Sequence, residues 1–387
     1  MAKTLIFVVF VALFCSSCFA ANWYVSPIGN DANNGTSTSS PVRTVYKAYS
    51  VSKTGDSILL MPGLYTGSSN MVTFADTRII QSQDPNSKAV LNGGGGTCMQ
   101  AFANYNTNIR VTFMDLIFTA CTDGITASAY SSTSSVLNVV VDGVAFESLT
   151  NRGIYFYPYG GGVLNVTRSS FTNCGTGISA AVTTSSTTTI AISFSSFSNT
   201  KIGTTIGTAS SSSSGTVAIN ACNFIGYNSS DSGLVINQKS TTLTVNDSEF
   251  RTYGAAAVDI TTVYDLNFNN VTFFGNYNTG LKLTNIGTGL ISNSVFQSNN
   301  GTNGGAIYMI GNVNTLLGTN SVYFFNNQAT NGGAAYISGA TLNVQFSTIS
   351  NNNATAGGDF FCAAGGKVYE YSCNSFGNTG SNGGCGL

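Results

Sequence analysis

The chain has 387 residues, of which asparagine, serine, threonine and glycine make up 182, while only 7% are charged and none is histidine. Soluble proteins average roughly 25% charged residues, so amides and hydroxyls make this surface polar. Fourteen basic residues set against fifteen acidic ones leave no patch to neutralise phosphates, which argues against nucleic-acid binding. Without histidine there is no Ser-His-Asp triad and no use of the commonest general base or metal ligand, while 25 Phe and 18 Tyr supply too much apolar surface for a disordered chain.

Residues 1–20 have the parts of a secretory signal: Lys3 near the start, the apolar run Leu5 to Phe14, and the small-residue stretch from Cys15 to Ala20, with cleavage expected after Ala20 or Ala21. The run is shorter than the ~20 residues that cross a bilayer, and no later run reaches that length, so no transmembrane segment is expected. Residues 21–63 read as a capping region. Ser40 and Pro41 suit an N-cap and first helical residue, and Val42, Val45, Ala48 and Tyr49 follow at helical spacing, predicting a short amphipathic helix that ends near Gly55. Asp56 to Met61 then reads as the first strand, with Pro62-Gly63 as its turn.

From Phe118 onward the chain repeats. Phe146, Phe171, Phe197, Phe224, Phe250, Phe273, Phe296, Phe324 and Ile349 follow at intervals of 23 to 28 residues. Seven and five residues before these landmarks stand apolar pairs such as Val111 and Phe113, Val139 and Val141, or Leu164 and Val166, the period-two spacing of a strand with one buried face. In two copies, Gly289 and Thr319 interrupt the pair. After the landmark comes a glycine and a second short strand, as in Gly124-Ile125, Gly153-Ile154, Gly177-Ile178, Gly233-Leu234, Gly280-Leu281, Gly304 to Ile307 and Gly332 to Ala335, where glycine is expected to supply the positive φ of a corner. The polar runs Ser131 to Ser135, Thr183 to Thr189 and Ser210 to Ser214 fall at one phase and read as loops. This pattern predicts an all-β fold, a right-handed parallel β-helix of about ten coils over residues 21–362, capped by the short helix and by a Cys-containing C-terminal segment, 363–387.

The leading segment, with Trp23 to Asp31, Asn34-Gly35, Pro41 to Ala48, Gly55-Asp56 and Pro62 to Tyr65, resembles the start of pectin-lyase-like right-handed β-helix proteins. The Phe296-x-x-Asn299 and Gly304-Gly-Ala-Ile307 unit, repeated at Phe324-x-x-Asn327 and Gly332-Gly-Ala-Ala335, is similar to repeats of chlamydial polymorphic outer-membrane proteins, which implies surface display and adhesion. Such scaffolds carry lyases, hydrolases, esterases and non-catalytic adhesins alike. Polygalacturonase-like members need Asp-Asp, Asn-Thr-Asp and Gly-His-Gly, none of which occurs here.

Because residues at one phase of successive coils are spatial neighbours, the register directs the search for a site. The outward position of the second strand runs Thr126, Tyr155, Ser179, Thr205, Val235, Asp259, Lys282, Tyr308, Tyr336 and Phe361. Asp259, Lys282, Tyr308 and Tyr336 form the expected ligand site: a sugar stacks on the tyrosines while the charged pair bonds its hydroxyls or carboxylate. Read as chemistry, Lys282 or Tyr308 serves as the base of a polysaccharide lyase with Asp259 beside it, the only reading in which Ca2+ has a place. Read structurally, the strip is a solvated ion pair beside an aromatic ladder. A second column before the landmarks holds Asp115, Asp142, Arg168, Asn220, Asn246, Asp247, Asn270 and Asn293, expected as a stacked amide ladder, with Asp115, Asp142 and Arg168 as a further candidate for an acidic group or a cation.

Seven cysteines follow the signal, and none forms a Cys-x-x-Cys pair, so no metal site is expected. Cys98 and Cys121, about one coil apart, are candidates for a bridge, and Cys362, Cys373 and Cys385 for stapling the last coil. Cys121 and Cys174, two coils apart, lie too far for a bond, and Cys174 and Cys222 read as buried small hydrophobes. Sequons begin at Asn34, Asn165, Asn228, Asn246, Asn270, Asn300 and Asn353. The expectation is a secreted or cell-surface β-helix with a recognition, adhesion or structural role toward polysaccharide or surface glycan; the alternative is a lyase acting on uronate-containing polymers.

Overall fold

A computed structural model describes residues 20–130, 134–182, 187–208, 215–228, 230–238, 241–312, 316–381 and 383–385. Residues 1–19 of the expected signal, and most of the expected loops (131–133, 183–186 and 209–214), lie outside the described residues. Thr188 and Thr189, expected in a loop, already belong to the strand Thr188–Ser193.

Among the described residues the chain winds into three long parallel sheets of 14, 13 and 12 strands, with a fourth, three-stranded one near the C-terminus, and is a right-handed parallel β-helix. Each coil between the two ends adds one strand to each long sheet, as Asn108–Met114, Ile117–Thr119 and Asp123–Ala129 do. The landmark residues pair in the predicted order, Phe118 on Phe146, Phe146 on Phe171 and onward to Ile349. The column is longer than ten because Tyr65 and Leu91 precede Phe118 and Ser375 follows Ile349 at the same phase. Those three coils lack the phenylalanine that marks the repeat.

Inside, the column becomes a continuous stack of rings from Phe118 to Phe324, with neighbouring centroids 4.4–5.5 Å apart. The rings belong to one hydrophobic core that runs the length of the solenoid. Stacking at this spacing adds roughly 0.5–1.5 kcal/mol per pair beyond burial of the ring area. The glycines before the third sheet serve this stack and not a positive φ. A Cβ on Gly177 would lie 2.6 Å from Phe197 Cδ1 and 2.5 Å from the carbonyl of Gly203, and Gly124, Gly153 and Gly233 face the next ring in the same way. Positive φ is found at Gly304 (66°) and Gly332 (68°), while other corners use Asp115, Arg168, Ala221 and Asp247, all near 50°.

At the N-terminal end the helix is Val45–Val51, later than predicted, with Thr44 as its N-cap accepting from the Lys47 amide. Val42 cannot join it, since its amide donates to the Tyr24 carbonyl and its own carbonyl accepts from Ser26. The first strand of the longest sheet is Asn22–Val25, paired with Ser57–Leu60. At the other end residues 363–381 add one more coil, with Lys367–Tyr371 on Thr341–Gln345. Disulfides join Cys98 to Cys121 and Cys362 to Cys385. Cys373, a candidate staple, is a free thiol: it sits at a corner where its Sγ faces the Val344 and Tyr371 carbonyls. Cys174 and Cys222 are buried, and desolvation pushes both thiols up to about 11.

Candidate functional site

Period-two alternation on the third sheet turns Ile260, Leu283, Met309 and Ile337 into the core and leaves their neighbours outside. The resulting outer column is the predicted one: Thr126 pairs with Tyr155, and in later coils Asp259 with Lys282, Lys282 with Tyr308, Tyr308 with Tyr336, and Tyr336 with Phe361. Lys282 Nζ donates to Asp259 Oδ2 at 2.8 Å, both side chains about one-third exposed. Asp259 Oδ1 is buried and, among the described residues, has no hydrogen-bond partner. Tyr336 meets Tyr308 edge-on at 5.3 Å and stacks on Phe361 at 5.4 Å.

Asp259, Lys282 and Tyr308 line a pocket of about 300 Å³ together with Asn278, Thr302 and Asn303. Through Asn278 and Thr302 it continues into a wider groove of about 550 Å³, bordered by Tyr277, Asn300, Gln328, Thr330, Asn353 and Thr355. Tyr336 lies beyond the pocket's lining. The groove exists because the later coils are longer between second and third sheets. Phe171 and Ile178 are seven residues apart, whereas Phe296 and Ile307 are eleven apart, and the added residues form the short sheet Gln328–Asn331, Asn353–Ala356 and Thr379–Ser381. Tight turns bring this shelf against the third sheet: a Cβ on Gly332 would sit 2.1 Å from the Ala335 carbonyl oxygen. Asn300, Gln328 and Asn353 stand at one phase of adjacent coils, so amides line the groove lengthwise. Its lining comes from four coils, on the order of 14 Å at ~4.8 Å per coil.

The second predicted cluster separates into two adjacent positions. Asp142 ends its strand, while Asp115 and Arg168 occupy the left-handed corner next to it. Arg168 grips Asp142 through two bonds of 2.9 and 2.6 Å, and Asp115 faces Lys88 at 3.8 Å, so these charges answer one another. The amide column splits likewise: Asn270 donates to Asp247 and Asn293 to Asn269, in separate exposed pairs. A continuous ladder lies elsewhere, in the core. Asn276, Asn299, Asn327 and Asn352 each donate to the side-chain oxygen of the next over 2.7–3.0 Å, the run ending on the half-buried Asn378. Each also donates to a landmark carbonyl, as Asn327 does to Phe296. The Phe-x-x-Asn spacing is its signature.

A further pair beside the outer column, three residues before Thr126 and Tyr155, has no counterpart in the sequence-based expectation. Arg152 binds Asp123 by two 2.9 Å bonds and lies 3.9 Å from the ring centre of Tyr155. Hydrogen bonding to Asp123 is the main reason the Arg152 pKa rises.

A family profile described as a protein of unknown function, DUF1565, matches residues 27–74. Among solved structures the chain is similar to pectate lyase Pel9A at 16% identity, over 96% of this chain and 83% of that one, with a TM-score of 0.36. It is similar to the GH136 lacto-N-biosidase from Eubacterium ramulus at 10% identity, over 92% and 67%, with a TM-score of 0.48. It is also similar to an alginate lyase from Paenibacillus sp. str. FPU-7 at 15% identity, over 85% and 96%, with a TM-score of 0.38. No curated protein matches the chain.

Among the described residues no three acidic or sulfur side chains gather as a cation site, and the only carboxylate in the pocket, Asp259, is committed to Lys282 through one oxygen. No helix among the described residues is long and apolar enough to cross a membrane.

Proposed function

We propose that the chain is a secreted recognition protein whose groove binds a polysaccharide or surface glycan without turning it over. The observation that carries this reading is the unbroken polar groove that spans four coils and opens into the Asp259–Lys282–Tyr308 pocket. Amides and hydroxyls supply donors and acceptors in a row, as a polyhydroxyl chain requires, and Tyr277, 70% exposed, offers a ring face at the rim. Lys282 spends one donor on Asp259 and has others for a ligand carboxylate.

Titration of the secreted protein against a glycan panel tests the reading. Tyr277→Ala combined with Tyr308→Ala is expected to weaken binding roughly tenfold or more, the worth of one lost stacking contact at ~1.4 kcal/mol. Unsaturated product accumulating from a polyuronide, with or without Ca2+, and abolished by Lys282→Ala, replaces this reading with the lyase one.

Asn300 and Asn353 are exposed sequons on the groove itself. Attached glycans there fill the space a ligand needs. Protein glycosylated at both positions is therefore expected to lose binding that Asn300→Gln with Asn353→Gln restores, as read by the same titration. Equal affinity of the two forms places the ligand elsewhere.

A further inference from the structure

The Asp56 carboxylate is buried at the opening end of the solenoid, 7% exposed, and among the described residues no lysine or arginine lies within ion-pair distance of it. Its partners are three N–H groups: Ala21 N reaches Oδ1 at 2.8 Å, and Trp23 Nε1 and Lys53 N reach Oδ2 at 2.9 and 2.8 Å. Desolvation pushes its pKa up, but the bonds from Lys53, Ala21 and Trp23, with the more distant Arg78 charge, outweigh that and hold it below the usual carboxylate value. A buried negative charge bonded by neutral donors, with the nearest cation, Arg78, acting only through space, is a costly arrangement, and a cation in direct contact offsets it. Ala21 is the residue placed to supply one. Its carbonyl is fixed by the Ser57 amide at 2.9 Å, its nitrogen touches the carboxylate, and a cavity of about 330 Å³ bordered by Ala20, Trp23, Lys53 and Thr54 lies alongside.

We infer that the chain is cut between Ala20 and Ala21 and that the α-ammonium created there is captured by Asp56, closing the first turn of the solenoid with an ion pair that the precursor lacks. The inference goes beyond glycan binding and rests on the reading of residues 1–20 as an export signal. Hydrolysis consumes one water, leaves the new carboxylate on Ala20, and gives Ala21 an amine that takes up a proton at neutral pH. This cut puts small residues, Cys18 and Ala20, at the third and first positions before it, whereas a cut after Ala21 puts Phe19 at the third. The later cut also discards both the N–H that Asp56 holds and the carbonyl that Ser57 holds. The bond from the amide is charge-assisted through its acceptor alone; an ammonium in place of the amide adds the donor's charge and turns it into an ion pair.

Two measurements test this. N-terminal sequencing and intact mass of full-length protein expressed in a secretory host are expected to give a chain that starts at Ala21. The α-amino group of that chain, methylated with ¹³C and followed by NMR, is expected to titrate above the ~7.7–8.0 of a free α-amine and to return to it in Asp56→Asn. A raised amine pKa gives stability that is full below the free value and is lost as pH rises through the folded value. The melting temperature of the Ala21 chain should therefore exceed that of its Nα-acetylated form near pH 6 and converge with it by about pH 10; acetylation keeps the N–H bond and removes only the charge, so this comparison stands even where Asp56→Asn fails to fold. A secreted chain that starts at another residue, or an α-amine that titrates at its free value, overturns the inference. A chain that is retained uncut overturns the export reading as well.

Discussion

Replacing Asn327 with alanine is expected to open the last coils of the solenoid. Asn327 is fully buried, and its side chain closes four bonds: it donates to the Phe296 carbonyl and to Asn352 Oδ1, each at 2.9 Å, and accepts from Asn299 Nδ2 and Asn299 N at 2.8 and 3.1 Å. Truncation strands the Phe296 carbonyl and both donors of Asn299, which is itself fully buried. At ~1–3 kcal/mol for each buried group left unsatisfied, the loss is roughly 3–6 kcal/mol once partial relaxation is allowed for. Since a solenoid's stability is close to a sum of neighbour terms, the damage concentrates in adjoining coils. Native-state hydrogen exchange should show amides around Phe296 and Phe324 exchanging roughly 10²–10⁴ times faster, at ~1.4 kcal/mol per decade. The contrast is Asn270→Ala on the exposed surface, whose bond to Asp247 lies in solvent and whose backbone is left-handed at φ 55°; a loss of only about 1–2 kcal/mol is expected there, from the corner and not from the bond. Equal effects of the two substitutions contradict the ladder's role.

The register was readable because each coil repeats the same inward and outward alternation, so the matching strands Val258–Thr261, Leu281–Thr284 and Ile307–Ile310 place Asp259, Lys282 and Tyr308 side by side. What counting along strands does not reach is anything built by the connections. The groove wall depends on four extra residues between Phe296 and Ile307 and on turns too tight for a side chain at Gly304 and Gly332, and Arg152 reaches Tyr155 from the edge of the column. The glycines were misread because two physical causes, a left-handed corner and a close approach, leave the same residue in a sequence. Gly177 has the second cause, and Arg168 with Asp247 shows that corners here accept side chains. The Asn ladder was visible as Phe-x-x-Asn, but composition alone does not tell an inward amide from an outward one; in the last coils the bonds to the landmark carbonyls do.

Phe197 offers the complementary test in the apolar core. Its ring is fully buried between Phe171 at 4.7 Å and Phe224 at 4.5 Å. Phe197→Ala removes the ring area and leaves a cavity, about 3–5 kcal/mol, and breaks two stacked pairs worth ~0.5–1.5 kcal/mol each. The coils on either side then share a weakened junction, and a repeat array cut at such a point unfolds in parts. Denaturation followed by tyrosine fluorescence should change from a single transition to two, with the lower midpoint moved by the full loss. Phe194→Ala, 63% exposed, leaves the curve unaltered. Gly177→Ala separates the two contacts that the glycine makes. Its added methyl meets the Phe197 ring at 2.6 Å and the Gly203 carbonyl at 2.5 Å. Phe197→Leu relieves the first contact and not the second, because the carbonyl belongs to the backbone of the next coil. The double variant is therefore expected to remain destabilised by ~1–3 kcal/mol relative to Phe197→Leu alone, the usual cost of overpacking. Full recovery in the double variant assigns the glycine to the ring alone and leaves the spacing of the coils free of any steric demand at this position.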